Sequence, residues 1–148
     1  MFMGMPKHHI DTSVIVEPEN TDEGRQCKRY LQKVNYNYKG VLPFPVLSEL
    51  FLIFASSEDF NARYDFAEPL LGTIKARCID FYSPKDIACI LNKIRIADSR
   101  IGSTDREILA CAVEDNADAL ITIDKEMLNN KRLENLLGIK IIHPKDLL

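Results

Sequence analysis

The stretch Ala119-Leu120-Ile121-Thr122-Ile123-Asp124 decides the architecture. Ala119–Ile123 (ALITI) is continuously apolar apart from one threonine and shows no alternation. Both faces of such a strand must meet apolar neighbours, as in a central parallel strand covered by helices on either side. Gly138–Ile142 (GIKII) is a second run of this type, and Cys78–Tyr82 (CIDFY) a third. Val41-Leu42, closed by Pro43 and Pro45, reads as a short strand. His8–Val16 (HHIDTSVIV) is β-rich with Asp11 inside it, and the acidic stretch Glu17–Glu23 ends that run at Pro18.

Helical periodicity fills the intervals. Cys27, Tyr30, Leu31 and Val34 fall at i, i+3, i+4 and i+7 and predict a helix over Gly24–Val34. Val46–Ser57 is apolar nearly all round, which predicts a buried helix. Arg63–Lys75 reads as another helix. Ser83 as cap and Pro84 at the first position predict a helix running toward Ala97. Thr104-Asp105-Arg106-Glu107 has the form of a capping box opening a helix to about Asp115, with Asn116 suited to a left-handed end. Lys125–Leu128 reads as a short helix after Asp124, and His143-Pro144-Lys145-Asp146 starts a last turn. Strands alternating with helices predict an α/β fold with a mostly parallel sheet, whose ligands sit beyond the carboxyl ends of the strands.

Composition bounds the rest. A chain of 148 residues predicts one domain over 1–148. Its apolar content of 46% is enough for a core; 7 Pro and 6 Gly are too few for low complexity. Runs such as Leu50–Ala55 are far too short to span a membrane, and the opening MFMGMPKHH has no signal-peptide character. Cys27, Cys78, Cys89 and Cys111 show no CxxC spacing, so neither zinc site nor disulfide framework is indicated. They are expected to be reduced, buried thiols of a cytoplasmic protein. The net charge of −3 leaves any grip on nucleic acid to a local basic patch.

Four acids stand where burial is otherwise expected, and an unpaired buried carboxylate is costly. Asp11 fits the carboxyl end of the first strand, and Asp124 ends the strand ALITI. Glu49 lies three residues after Val46 and four before Ile53, on an apolar stripe. Asp105 is expected at the first helical position after Thr104, on one face with Ile108, Leu109 and Ala112. Each alone has an ordinary explanation: an Asx turn, a helix-dipole partner or an N-cap. Jointly they point to one edge of the sheet, where four carboxylates would repel one another and raise their own pKa values. Divalent cations relieve that repulsion, and a two-metal site cleaves phosphodiesters.

These residues resemble the PIN-domain family. Ile10-Asp11-Thr12-Ser13-Val14 is similar to the family's opening motif, and Glu49 in Val41–Leu50 to its second acid after a Pro-containing strand exit. Asp105–Ala112 resembles its third acid at the start of a helix of small and apolar residues. Leu120–Asp124 is similar to its Thr-x-Asp motif. The chain departs from the family in Met127 and Leu128, where members often carry Phe, and in Asn116, where they often carry Gly. The resemblance implies a three-layer α/β/α sandwich acting as a Mg²⁺- or Mn²⁺-dependent endoribonuclease. VapC-like toxins are the most numerous small members. Their usual homodimer and inhibitory antitoxin protein are further expectations. Asp11, Glu49, Asp105 and Asp124 would ligate the metal and serve catalysis. Thr12, Ser13 and Thr122 are candidate hydroxyl donors to metal waters or phosphate, or else hold the backbone of a turn or strand.

Between Gly24 and Ser48 there is no acid, while Arg25, Lys28, Arg29 and Lys33 line the polar face of one helix near Tyr30, Tyr36 and Tyr38. That face is a candidate surface for RNA or for a protein partner, with Tyr30 expected in the core. Other readings fare worse. A receiver domain needs further acids before Asp11, where His8-His9-Ile10 stands, and no GxGxxG or GxxxxGK[ST] loop is present. An RNA-processing nuclease without toxic role, and a silent PIN domain used for binding, remain as alternatives.

Overall fold

The structure, a computed structural model, describes residues 4–56 and 70–148. Five parallel strands form one sheet in the order β3-β2-β1-β4-β5. They are β1 (Lys7–Ile10), β2 (Lys39–Pro43), β3 (Asp80–Tyr82), β4 (Ala119–Ile121) and β5 (Lys140–Ile142). The register pairs His9 with Val41 on one side and with Leu120 on the other. Helices α1 (Thr12–Val16) and α2 (Asp22–Lys33) link β1 to β2, and α3 (Phe44–Ser56) follows β2 directly. Residues 70–76 form α4 ahead of β3. Helices α5 (Ala88–Ala97) and α6 (Ser103–Glu114) join β3 to β4, and α7 (Lys131–Leu137) joins β4 to β5. A 3₁₀ turn at Pro144–Leu147 packs beside α2.

This is a three-layer α/β/α sandwich. Successive side chains of β1 show the two layers, because neighbours in a strand face opposite ways. His8 faces α2, where its Nδ1 and the Tyr30 hydroxyl share a 2.8 Å hydrogen bond. His9 faces the other layer, its Nε2 2.8 Å from Asp115 just past the end of α6. Ile10, Leu42, Leu120 and Ile121 are fully buried between the layers, against Ile94, Ile108, Leu109 and Leu133 of the helices.

Several boundaries differ from expectation. The β-rich run stops at Ile10, and Thr12–Val16 turns into helix. Helix α2 starts at Asp22, because the Thr21 hydroxyl caps the Gly24 N–H at 2.9 Å. A Cβ on Gly24 would lie 1.8 Å from the Pro18 carbonyl oxygen, so only glycine lets these backbones meet. The part of the Arg63–Lys75 helix before residue 70 lies outside the described residues. The start expected at Ser83 moves to Ala88: the Glu114 carboxylate takes the N–H groups of Lys85 and Asp86, each at 2.8 Å, so no turn of helix forms there. The Thr104 capping box is absent. Gly102 holds the cap position without a side-chain bond, which puts Asp105 third in α6 rather than first. Residues 125–129 form turns instead of a short helix. Asn116 takes φ +55° and supplies the left-handed residue that glycine would otherwise provide; Met127 is fully buried.

Helix α3 is not the buried helix its composition predicts. Pro45, Val46 and Leu50 are buried, but Phe51 and Leu52 are 70% and 66% exposed. It leans over the carboxyl edge of the sheet and packs against α1, α6 and β2 among the described elements. The cysteines also divide: Cys27 and Cys111 are buried as expected, whereas Cys78 and Cys89 are exposed. Among the described residues, no helix is long and apolar enough to cross a membrane.

His8 is buried, stacks on Tyr38 with ring centroids 4.3 Å apart, and has its pKa lowered to about 4 by burial. The unfolded chain therefore takes up a proton near 6.5 that the folded chain refuses until about 4. The stability that neutral His8 contributes is complete above the unfolded value and is lost as pH drops through this window. Denaturant unfolding on either side of the window should show His8→Gln losing less stability than the wild type as pH falls.

Candidate active site

The topology prepares a site at one place. From β1 the chain winds outward to β2 and β3; from β4 it winds the other way to β5. The carboxyl ends of β1 and β4 therefore flank the switch point of the sheet, where the outgoing connections diverge and leave a crevice. Asp11 is the residue after β1. Asp124 follows the ladder bond from the Thr122 N–H to the Ile142 carbonyl. Helix α3 begins at this edge because it continues β2, bringing Glu49 in its second turn. Helix α6 has to run back across the sheet to feed β4, so its first turn, with Asp105, lies at the same edge.

The four acids line one cavity of about 410 Å³ together with Thr12, Ser13, Val16, Ile53 and Ile123. Hydroxyls hold two of them in place. Asp11 Oδ2 accepts from Ser13 at 2.6 Å and from Thr122 at 2.8 Å. Glu49 Oε1 accepts from Thr12 at 2.8 Å. The Thr122 Oγ also accepts the Asp124 N–H at 3.0 Å, which ties the turn after β4 to the group that holds Asp11. These three hydroxyls thus grip carboxylates, and two of them also hold backbone, Thr122 taking the Asp124 N–H and Ser13 the Ile123 N–H at 3.3 Å. Asp124 Oδ1 in turn accepts the Glu126 N–H at 2.9 Å.

Charge in the cavity is one-sided. Desolvation first, then Asp11, Asp124 and Glu49, push the Asp105 carboxyl up to about 7, and it shares a hydrogen bond with Asp124. Among the described residues, no cationic side chain lines the cavity. The arginine ion pairs among the described residues, Arg25–Asp22 and Arg100–Asp98, involve none of the four acids. A proton on Asp105 is the only charge relief these side chains supply, and a divalent cation is the other remedy open to such a site. Hard oxygen donors of this kind suit Mg²⁺ or Mn²⁺. With the carboxylates turned to hydroxyls and to one another, no three acidic, histidine or cysteine side chains of the described residues close around a single point. The residue types and the excess negative charge fit a metal, and the hydrogen bonds to Ser13, Thr122 and Thr12 are what ligation would compete with.

Sequence reasoning missed the apolar rim of Val16 and Ile123, which carry no chemical signal of their own. Ile53 was visible as the residue one turn beyond Glu49. The predicted basic face is formed but largely engaged. Arg25 pairs with Asp22, Lys28 with Glu19 at 3.3 Å, and the Lys33 ammonium donates to the Leu147 carbonyl at 3.4 Å. Arg29 is exposed, and Tyr30 is core, as expected. A larger cavity of about 560 Å³, lined by Val14, Leu31, Lys28, Leu70 and Arg77 among others, lies between α1, α2 and α4 and gathers no comparable cluster.

No family model matches the chain, and no curated protein does. Solved structures do. A chain of the crystal structure of VapBC2 from Rickettsia felis, bound to a DNA fragment from their promoter, superposes with TM-score 0.66 at 17% identity, over 93% of this chain and 98% of that one. A chain of FitAcB from Neisseria gonorrhoeae gives 0.65 at 18% identity, over 93% and 97%. A chain of VapBC-1 from nontypeable Haemophilus influenzae gives 0.64 at 17%, over 93% and 98%. The chain has a VapC-like PIN fold.

Asp105 is expected to titrate near 7 in protein freed of divalent ions, by carboxyl ¹³C NMR. Asp124→Asn, which deletes a neighbouring negative charge and keeps a hydrogen-bonding amide, should move that midpoint down toward the ordinary carboxylate range.

Proposed function

We propose that the protein is a Mg²⁺- or Mn²⁺-dependent endoribonuclease acting as the toxin of a toxin–antitoxin pair. The single observation that carries the reading is the convergence of Asp11, Glu49, Asp105 and Asp124 in one cavity, where burial and the neighbouring acids raise the Asp105 pKa to about 7. The VapC-like fold supports it, and the neighbours' VapBC and FitAB complexes support an antitoxin partner.

Asp11, Asp105 and Asp124 would hold the metal, with Glu49 beside them as a ligand or as base toward its water. When bound, the metal supplies an activated water and charge stabilisation for the leaving oxygen. The chain's own part is positional. Ser13 and Thr122 hold the Asp11 carboxylate, and Thr12 holds Glu49, within the cavity, through bonds that ligation would share or exchange. Protonation of Asp105 competes with ligation, so metal affinity should rise with pH through about 7. Val16, Ile53 and Ile123 give one side of the cavity an apolar wall that limits water around the carboxylates.

Purified protein should cleave single-stranded RNA with Mg²⁺ or Mn²⁺ and stop on addition of EDTA. Asp11→Asn should lower the rate by more than about 100-fold with melting behaviour preserved, and Thr12→Ala by about 10- to 100-fold through loss of the hydroxyl that orients Glu49. Undiminished cleavage by Asp11→Asn would refute the mechanism. A silent binding domain would show no metal-dependent cleavage in any variant.

A further inference from the structure

The first turn of α6 borders two cavities. Asp105 lines the carboxylate cavity, while Ser103, Arg106 and Glu107, at i, i+3 and i+4 on the same helix, line another of about 270 Å³. Leu91, Asn92 and Arg95 of α5 complete it. Two guanidinium groups therefore line a cavity that shares the start of α6 with the carboxylate cavity, and their bonding is incomplete. The Arg106 Nε is shielded from solvent and has no hydrogen-bond partner. Arg95 is exposed and donates to the Asn92 amide oxygen at 2.8 Å. Among the described residues neither pairs with a carboxylate, unlike Arg25 and Arg100. A buried donor left unmet is costly, and a guanidinium fork is matched by a carboxylate or a phosphate. Gly102 adds no side-chain cap to the N–H groups that open α6.

We propose that this α5–α6 cavity is a phosphate subsite, which holds the backbone of single-stranded RNA through Arg106 and Arg95 beside the carboxylate cavity. The inference deepens the nuclease reading and takes its ligand from it. Four carboxylates repel a polyanion, so a substrate strand needs a cationic anchor close by, and the helix turn that carries Asp105 carries that anchor one residue later. Contact is to backbone phosphate and independent of sequence. Glu107, exposed at the rim, opposes the anion.

The test is fluorescence anisotropy of a labelled single-stranded oligouridylate in EDTA, where no cleavage proceeds, across a salt series. Arg106→Gln and Arg95→Gln should each weaken Kd roughly tenfold, the size of one charged hydrogen bond. Each should also lower the slope of log affinity against log salt by about 0.7. Glu107→Gln should tighten binding. With metal, both arginine variants should raise KM and leave kcat within about twofold, the signature of lost binding. Arg95 is exposed, so Arg95→Gln serves should Arg106→Gln melt early. Unchanged Kd and salt slope in Arg95→Gln and in a folded Arg106→Gln, with wild-type protein that binds and cleaves, overturn the subsite and leave the nuclease reading standing. Binding that follows the arginines in a protein that never cleaves overturns the nuclease and upholds the subsite. A wild type that does not bind the oligouridylate overturns the subsite.

Discussion

Mutual repulsion of carboxylates at the carboxyl edge of the sheet is the constraint around which this molecule is arranged. Like charges brought together out of water cost free energy that grows as the local dielectric falls. The fold meets that cost in two ways. Hydroxyls of Thr12, Ser13 and Thr122 donate to Asp11 and Glu49, and one acid, Asp105, has its pKa displaced to about 7. Among the described residues, no arginine ion pair involves the cluster. Pairing or deleting one of these acids would relieve that cost, and the proposed metal site is where their excess charge would be used.

The rest of the architecture serves to hold that edge. The strands are short, only three to five residues, and the ladder between β1 and β4 continues beyond them through the Asp11 N–H to the Ile121 carbonyl. Asp11 is thereby hydrogen-bonded through its backbone to the strand whose extension carries Thr122 and Asp124. Deeper in the sheet, polar residues are kept neutral rather than charged. The rings of His8, Tyr30 and Tyr38 cluster with centroids 4.3–5.9 Å apart, and burial lowers the pKa of both His8 and His9. The polar groups of the interior thus rigidify the strand, and charge is concentrated at its outlet.

Helices α3 and α6 show how one element can meet two demands. Each begins at the carboxyl edge, and each carries an acid in its first or second turn. Helix α3 keeps an apolar stripe inward and leaves Phe51 and Leu52 outside. Helix α6 is buried over Ile108–Ala112, so its position over the sheet is firm and its first turn is held with it. On that turn Asp105 and Arg106 diverge by about 100°, which places opposite charges in adjoining cavities without pairing them.

Local pattern by itself determined the α/β class, the strand cores at Ile10, Val41-Leu42 and Ala119–Ile121, and the identity of the four acids. Those features depend on periodicity and on residue type against surroundings, both readable along the chain. Tertiary contacts alone decided the rest. The helix start moved from Ser83 to Ala88 because Glu114, from another helix, satisfies the intervening N–H groups. Thr104 lost its capping role because Gly102 takes that position, and α3 packs against α1, α6 and β2 while Phe51 and Leu52 stay exposed. The hydroxyl–carboxylate bonds and the two unpaired arginines join residues far apart along the chain or on separate helices. Their partners are set by distances in space, and spacing along a polymer carries no record of those until it folds.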